Sequence, residues 1–151
     1  METPPKAVRE SQLSHLNDAE YLELIDQARE AQNLAYAPYS QYKVGAAILT
    51  KSGKVYVGAN IENASYGATI CAERTAIGSM ILGGDRDILV IAVVTDDNGY
   101  PCGICLQALN EFSSDPNSTE IVVPSKGGFQ IHSLQELAPY IWRSDFVSKP
   151  K

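Results

Sequence analysis

Residues 70–112 read ICAERTAIGSMILGGDRDILVIAVVTDDNGYPCGICLQALNEF, and the order of elements within this stretch decides the fold. Ile70 to Leu82 contains no proline, and Ala72, Ala76, Ile77, Met80 and Ile81 recur on faces that pack inward, which predicts a helix ended by Gly83-Gly84. Ile88 to Thr95 is an unbroken apolar run of strand length, the pattern of a strand covered on both faces. Pro101-Cys102-Gly103 then opens a second helix that runs through Phe112. A buried strand between two helices predicts a βαβ crossover and a central sheet that is parallel in part.

Upstream, Asn17 or Asp18 is the predicted N-cap of a first helix, in which Leu22, Ile25, Ala28 and Ala35 form one buried stripe before Pro38 stops the pattern. Val44 to Thr50 and Val55 to Gly58 are rich in β-branched or small residues and flank a Lys51-Ser52-Gly53 turn, which predicts a hairpin. Downstream, Glu120 to Val123 and Phe129 to Ile131 are two further short strands. Ser133 followed by Glu136 is a capping box for a last short helix over Leu134 to Tyr140. The predicted fold is α/β, a three-layer α/β/α sandwich around a mixed five-stranded sheet.

The length of 151 residues fits one compact domain, expected over residues 17–151, preceded by a mobile arm at 1–16 that carries Pro4 and Pro5. With 44% apolar and 20% charged residues the chain has the composition of an ordinary soluble protein, not a disordered one. A net charge of -6 and a pI near 4.8 argue against a surface that binds polymeric nucleic acid, which needs clustered Lys and Arg, and favour a small substrate. No apolar run reaches the length of a bilayer span, and METPPKAVRESQLSH lacks the apolar core of a secretory signal, so the expected compartment is the cytoplasm. In a reducing compartment three cysteines point to metal binding or catalysis before disulfides.

The spacing of those cysteines carries the chemistry. Cys71-Ala72-Glu73 stands at one predicted helix start, and Pro101-Cys102-Gly103-Ile104-Cys105 at another. A helix N-terminus stabilises a thiolate, the form that zinc requires. Three thiolates leave one tetrahedral position open, the mark of a catalytic rather than a structural zinc, and zinc acidifies a bound water to a pKa of about 7 in favourable sites. Glu73, two residues after a ligand, is placed to shuttle protons, and Arg74 to offset the negative charge of the sulfurs. Two other readings stand beside this one: a closed site completed by His132, or three inert buried thiols. Neither accounts for Glu73 and Pro101.

Four segments carry a family resemblance: Tyr36-Ala37-Pro38-Tyr39-Ser40 with Val44-Gly45-Ala46-Ala47; Gly58-Ala59-Asn60-Ile61-Glu62-Asn63-Ala64-Ser65-Tyr66-Gly67; Thr69-Ile70-Cys71-Ala72-Glu73-Arg74-Thr75-Ala76; and Pro101-Cys102-Gly103-Ile104-Cys105 with Gln107. Together they make the chain from Tyr36 to Trp142 resemble the homotetrameric three-cysteine cytidine deaminases. That resemblance implies a zinc-dependent hydrolase that converts free cytidine and 2′-deoxycytidine to uridine and 2′-deoxyuridine in pyrimidine salvage, with one Zn2+ per subunit. It implies Cys71, Cys102 and Cys105 as ligands, Glu73 as the catalytic group, and Arg74 and Gln107 as support for the metal site. It places Asn60 and Glu62 on the ribose, Tyr42 in the position of the usual Phe against the pyrimidine, and Ala64 beside the base. Tyr66 and Trp142 are implied to come from neighbouring subunits, so that active sites are shared in a homotetramer. The chain departs from the pattern at Leu106, where relatives usually carry Arg, which leaves charge compensation mainly to Arg74 and predicts a more electron-rich metal site. The rivals are a deaminase for a modified nucleoside, an editor of nucleic acid, and a catalytically silent zinc-stabilised binding protein. The acidic composition opposes the editor, and the presence of Glu73 with all three cysteines opposes the silent protein.

Overall fold

The computed structural model describes residues 15–143, so that residues 1–14 of the expected arm lie outside the described residues. The last two arm residues contact the domain: His15 Nε2 lies 2.7 Å from the Ser118 carbonyl, and Leu16 packs at the edge of the core. Helix α1 (Asp18–Asn33) starts on a capping box, in which the Asn17 side chain accepts from Glu20 N at 2.9 Å and Glu20 accepts from Asn17 N at 3.2 Å. Its buried stripe is Tyr21, Leu24, Ile25, Ala28, Ala31 and Gln32, whereas Leu22 of the expected stripe is 47% exposed and Ala35 lies beyond the helix. Tyr21 packs on Phe129 at 5.3 Å between ring centroids and donates a hydrogen bond to the buried Glu120.

Strands β1 (Gly45–Thr50) and β2 (Val55–Ala59) form the expected antiparallel hairpin, closed by Gly53 at φ +88°. Helix α2 (Ala72–Leu82) begins at Ala72 rather than Ile70, because Ile70 pairs with Ile61 through both its N–H and its carbonyl. Strand β3 (Ile88–Val94), helix α3 (Gly103–Glu111) and strand β4 (Glu120–Ser125) make the βαβ unit, with β3 and β4 parallel. Strand β5 (Gly128–Ser133) returns antiparallel to β4 and passes directly into α4 (Leu134–Leu137). The α4 capping box forms as expected, but the helix stops at Leu137 and not at Tyr140. Pro139 excludes helical backbone at Ala138, which sits at φ -139° and ψ 67°.

The five strands lie in the order β2-β1-β3-β4-β5, a mixed sheet with helices on both faces. Side chains of β3 divide between those faces: Ile91 and Val93 face α2 and α3, while Val90, Ala92 and Val94 face α1. The alternation breaks at Leu89, where the register with β1 shifts as in a bulge. Two glycines set the distance of the helices from the sheet. A Cβ on Gly45 would lie 1.9 Å from the Ala28 carbonyl oxygen of α1, and a Cβ on Gly58 would lie 2.3 Å from Ala76 N and 2.6 Å from the Ala72 carbonyl oxygen of α2. Gly78, by contrast, has open space around it within the chain. No helix among the described residues is long and apolar enough to cross a membrane.

Candidate active site

Close seating of α2 on β2 fixes the position of its first turn, and the shared packing of Ala72, Ala76 and Leu109 brings the N-terminus of α3 beside it. Cys71 is the N-cap of α2 and Cys102 the N-cap of α3, yet neither side chain caps its own helix, so both sulfurs remain available. Cys105 follows one turn into α3 and is fully buried. The three Sγ atoms lie within 4.8 Å of one another and are the one group of three or more metal-binding side chains among the described residues. Zinc–sulfur bonds of about 2.3 Å in a tetrahedron place sulfurs about 3.8 Å apart, so the triad fits zinc after a small contraction. His132, the fourth ligand that a closed site needs, is engaged elsewhere: Nε2 lies 3.1 Å from the Tyr100 hydroxyl and Nδ1 3.5 Å from Glu136.

Electrostatics around the triad are those of a site prepared for a cation. The Cys71 thiol is lowered to about 5, first by the hydrogen bond from Cys105, against the cost of burial, and then by Arg74 and Cys102. Cys105 is raised, because it serves as the donor to Cys71 and because it is buried. Cys71 is therefore the sulfur held most readily as a thiolate, and a bound dication favours thiolates at such a site. Arg74 Nη2 donates to Cys71 Sγ at 3.8 Å and to the Thr69 carbonyl at 3.4 Å, which sets the guanidinium against the sulfur. Leu106 turns toward the core that α2 shares with the sheet.

Glu73 is 4% exposed, and its Oε2 lies 3.4 Å from Cys105 Sγ. Burial first, and the nearby negative charge of Cys71 next, raise its carboxyl above the ordinary range. The residues expected on the sugar are held differently. Asn60 is buried, its Oδ1 accepting from Val44 N at 2.9 Å and its Nδ2 donating to the Tyr42 carbonyl at 2.8 Å, so it clamps the strand entry. One acceptor and one donor position remain on that amide. Glu62 accepts from Ser40 N and Ser40 Oγ at 3.1–3.3 Å and keeps free lone pairs. Tyr42 is exposed along its ring while its hydroxyl donates to Asp97 at 2.6 Å. Ala64 is exposed, Tyr66 is 78% exposed with its ring edge-on to Tyr39, and Trp142 is 69% exposed. Gln107 donates to the Trp142 carbonyl at 3.1 Å, which ties the C-terminal segment to α3. Ser40, within the Tyr36–Ser40 segment, and Asp97, outside all four segments, carry contacts to the expected site residues; the hydroxyl of Tyr42 is the one local sign of the second.

A profile described as the cytidine and deoxycytidylate deaminase zinc-binding region matches residues 18–118. The cytidine deaminase of Halalkalibacterium halodurans is 46% identical over 119 residues, 77% of this chain and 89% of that protein. A probable cytidine deaminase of Dictyostelium discoideum is 36% identical over 137 residues, 89% of this chain and 92% of that protein. Among solved structures, the cytidine deaminase of Burkholderia pseudomallei superposes with a TM-score of 0.74 at 41% identity, covering 86% of this chain and 100% of that one. That of Mycobacterium tuberculosis superposes with a TM-score of 0.73 at 32% identity, covering 82% and 98%. A five-stranded mixed sheet, two helix starts that bring three sulfurs together, and likeness over most of the chain's length agree: this chain belongs to the cytidine and deoxycytidylate deaminase family.

Proposed function

We propose that this protein hydrolyses free cytidine to uridine and ammonia, with Cys71, Cys102 and Cys105 holding one zinc ion per subunit and Glu73 moving the protons. Zinc, when bound, supplies Lewis-acid activation of the water that attacks the pyrimidine. Glu73 accepts the proton of that water and returns protons to the ring nitrogen and the leaving amine, so that cytidine plus water balances uridine plus ammonia. Burial raises its carboxyl above the ordinary range, the direction that suits a group which must both take and give a proton. Arg74 offsets the charge of the sulfur set through Cys71.

Glu62 and the remaining positions of Asn60 take the ribose hydroxyls, Tyr42 lays its ring against the base, and the backbone at Ala64 lines the same side. A sugar that lacks one hydroxyl keeps a bond to the carboxylate, so 2′-deoxycytidine is a second substrate. The pocket is completed by Tyr66 and Trp142 of neighbouring subunits in a homotetramer, a reading supported by the exposed apolar side chains Leu34, Tyr66, Leu82 and Trp142. Gln107 supports α3 from its outer side. The role that follows is pyrimidine salvage in the cytoplasm, where cysteines stay reduced and ready for metal.

The single observation that carries this reading is the approach of a buried carboxyl to three converging sulfurs. Metal analysis and the fall in absorbance as cytidine becomes uridine test it on the purified protein, with sedimentation reading the assembly. Stoichiometric zinc is expected, and Glu73→Gln is expected to keep that zinc while losing about 10²- to 10⁴-fold in kcat. Wild-type turnover in Glu73→Gln, or full activity after chelation, would remove the proposal.

A further inference from the structure

We infer that Asp97 is a positioning residue for the nucleoside: by accepting the Tyr42 hydroxyl it fixes the ring that faces the base, and it does so from the loop that delivers Cys102. This rests on the placement of Tyr42 against the pyrimidine proposed above.

The Tyr42 hydroxyl donates to Asp97 Oδ1 at 2.6 Å, the short distance of a bond to a charged acceptor. The same oxygen accepts from Thr95 Oγ1 at 2.9 Å and from Gly99 N at 3.2 Å, and Gly99 N also reaches Thr95 Oγ1 at 2.6 Å. Asp97 is therefore held by its own turn, in which Asn98 adopts φ 56°, and is not a side chain swinging in solvent. Three residues after Asn98 the chain reaches Pro101 and then the N-cap Cys102. At its other end Tyr42 is held through the backbone, its N–H donating to Ser40 Oγ at 3.0 Å and its carbonyl accepting from Asn60 Nδ2 at 2.8 Å. Ser40 Oγ in turn donates to Glu62 Oε1 at 3.1 Å. The hydrogen bonds thus run without a break from the sugar carboxylate, through Ser40 and Tyr42, to the loop before the metal helix.

An exposed aromatic ring without a tip anchor loses rotamer freedom when a ligand stacks on it, and that loss weakens binding. The Asp97 bond removes this cost in advance. It also consumes the hydroxyl, so Tyr42 presents an apolar face to the base rather than a hydrogen-bonding group. Asp97 is in this sense a partner of the substrate site that never touches substrate.

The test is a double-mutant cycle on the zinc-loaded protein: wild type, Tyr42→Phe, Asp97→Ala and the double variant. The readouts are kcat and KM for cytidine, zinc content, and the calorimetric Kd for uridine. Each single variant is expected to raise KM and the uridine Kd by about 3- to 10-fold with kcat and zinc unchanged, and the double is expected to be no worse than either single. Tyr42→Phe leaves the Asp97 bonds to Thr95 and Gly99 in place, so it reads the anchor without disturbing the turn. An unchanged KM in Asp97→Ala, effects that multiply in the double, or a loss expressed in kcat or zinc content would overturn the inference. A wild type that does not turn over cytidine would instead overturn the functional proposal on which it rests.

Discussion

The two halves of the site are built by different physics. The metal half sits on helix starts whose positions are set by core packing, with Ala72, Ala76 and Leu109 fully buried and α2 seated on the bare backbone of Gly58. The proposed nucleoside half sits on loops: Glu62 and Tyr42 are partly or fully exposed, and side-chain to backbone hydrogen bonds hold these two in place of burial. On the function proposed above, chemistry that tolerates little displacement falls on rigid elements, and recognition falls on a polar loop network. Displacing an element should therefore abolish the reaction, and cutting a loop bond should weaken binding first.

Gly58→Val tests the rigid half and should have the largest effect. Its added carbons meet the backbone of Ala72 and Ala76, which cannot swing aside, so a loss of about 3 kcal/mol or more is expected, together with loss of zinc. Urea denaturation and metal analysis read the two effects, and a variant that kept full zinc would break the link between that glycine and the metal. Asn60→Ala tests the loop half. It leaves Val44 N and the Tyr42 carbonyl without their partner, at a cost of about 1–3 kcal/mol for each group that stays buried and unpaired, and it should raise KM for cytidine while zinc content holds. Equal losses in kcat and zinc would erase the contrast between the halves.

The smallest effect is expected at the Asp85 cluster, which holds none of the expected site residues. Tyr56, Ser52 and Thr50 donate to Asp85 Oδ2 at 2.7, 2.9 and 3.2 Å, and the Tyr56 bond is the main cause that holds the Asp85 carboxyl below its ordinary value. A carboxylate lowered in the folded state adds stability that is present above the unfolded pKa of about 3.9 and is lost as pH falls through the folded value. Wild type should therefore melt slightly above Tyr56→Phe near neutrality, and the difference should shrink on acidification below about pH 4. Scanning calorimetry across pH checks this, and a gap that widened in acid would contradict the assigned cause.

Much of the site was legible before any coordinates, for a local reason. A thiol at a helix start, a proline before it and a carboxyl two positions on are chemical statements made within a few residues, and the capping boxes at Asn17 and Ser133 are of the same kind. What escaped were partners distant along the chain. The α1 stripe runs through Tyr21, Leu24, Ile25, Ala28, Ala31 and Gln32, a regular helical spacing from which Leu22 falls out, whereas the bond from Tyr21 to Glu120, 99 positions away, has no local sign. Asn60 was assigned to a sugar without its work on Val44 and Tyr42, and Asp97 was not singled out.

By itself, then, the amino-acid order determined most of the elements and marked the two helix starts at which three sulfurs converge, because short-range backbone and side-chain chemistry dictates them. Only the tertiary structure decided how near α2 approaches the sheet and what anchors the Tyr42 hydroxyl. Those choices depend on where the chain closes on itself, and a hydrogen bond across 55 residues exists only once the sheet between its ends has formed.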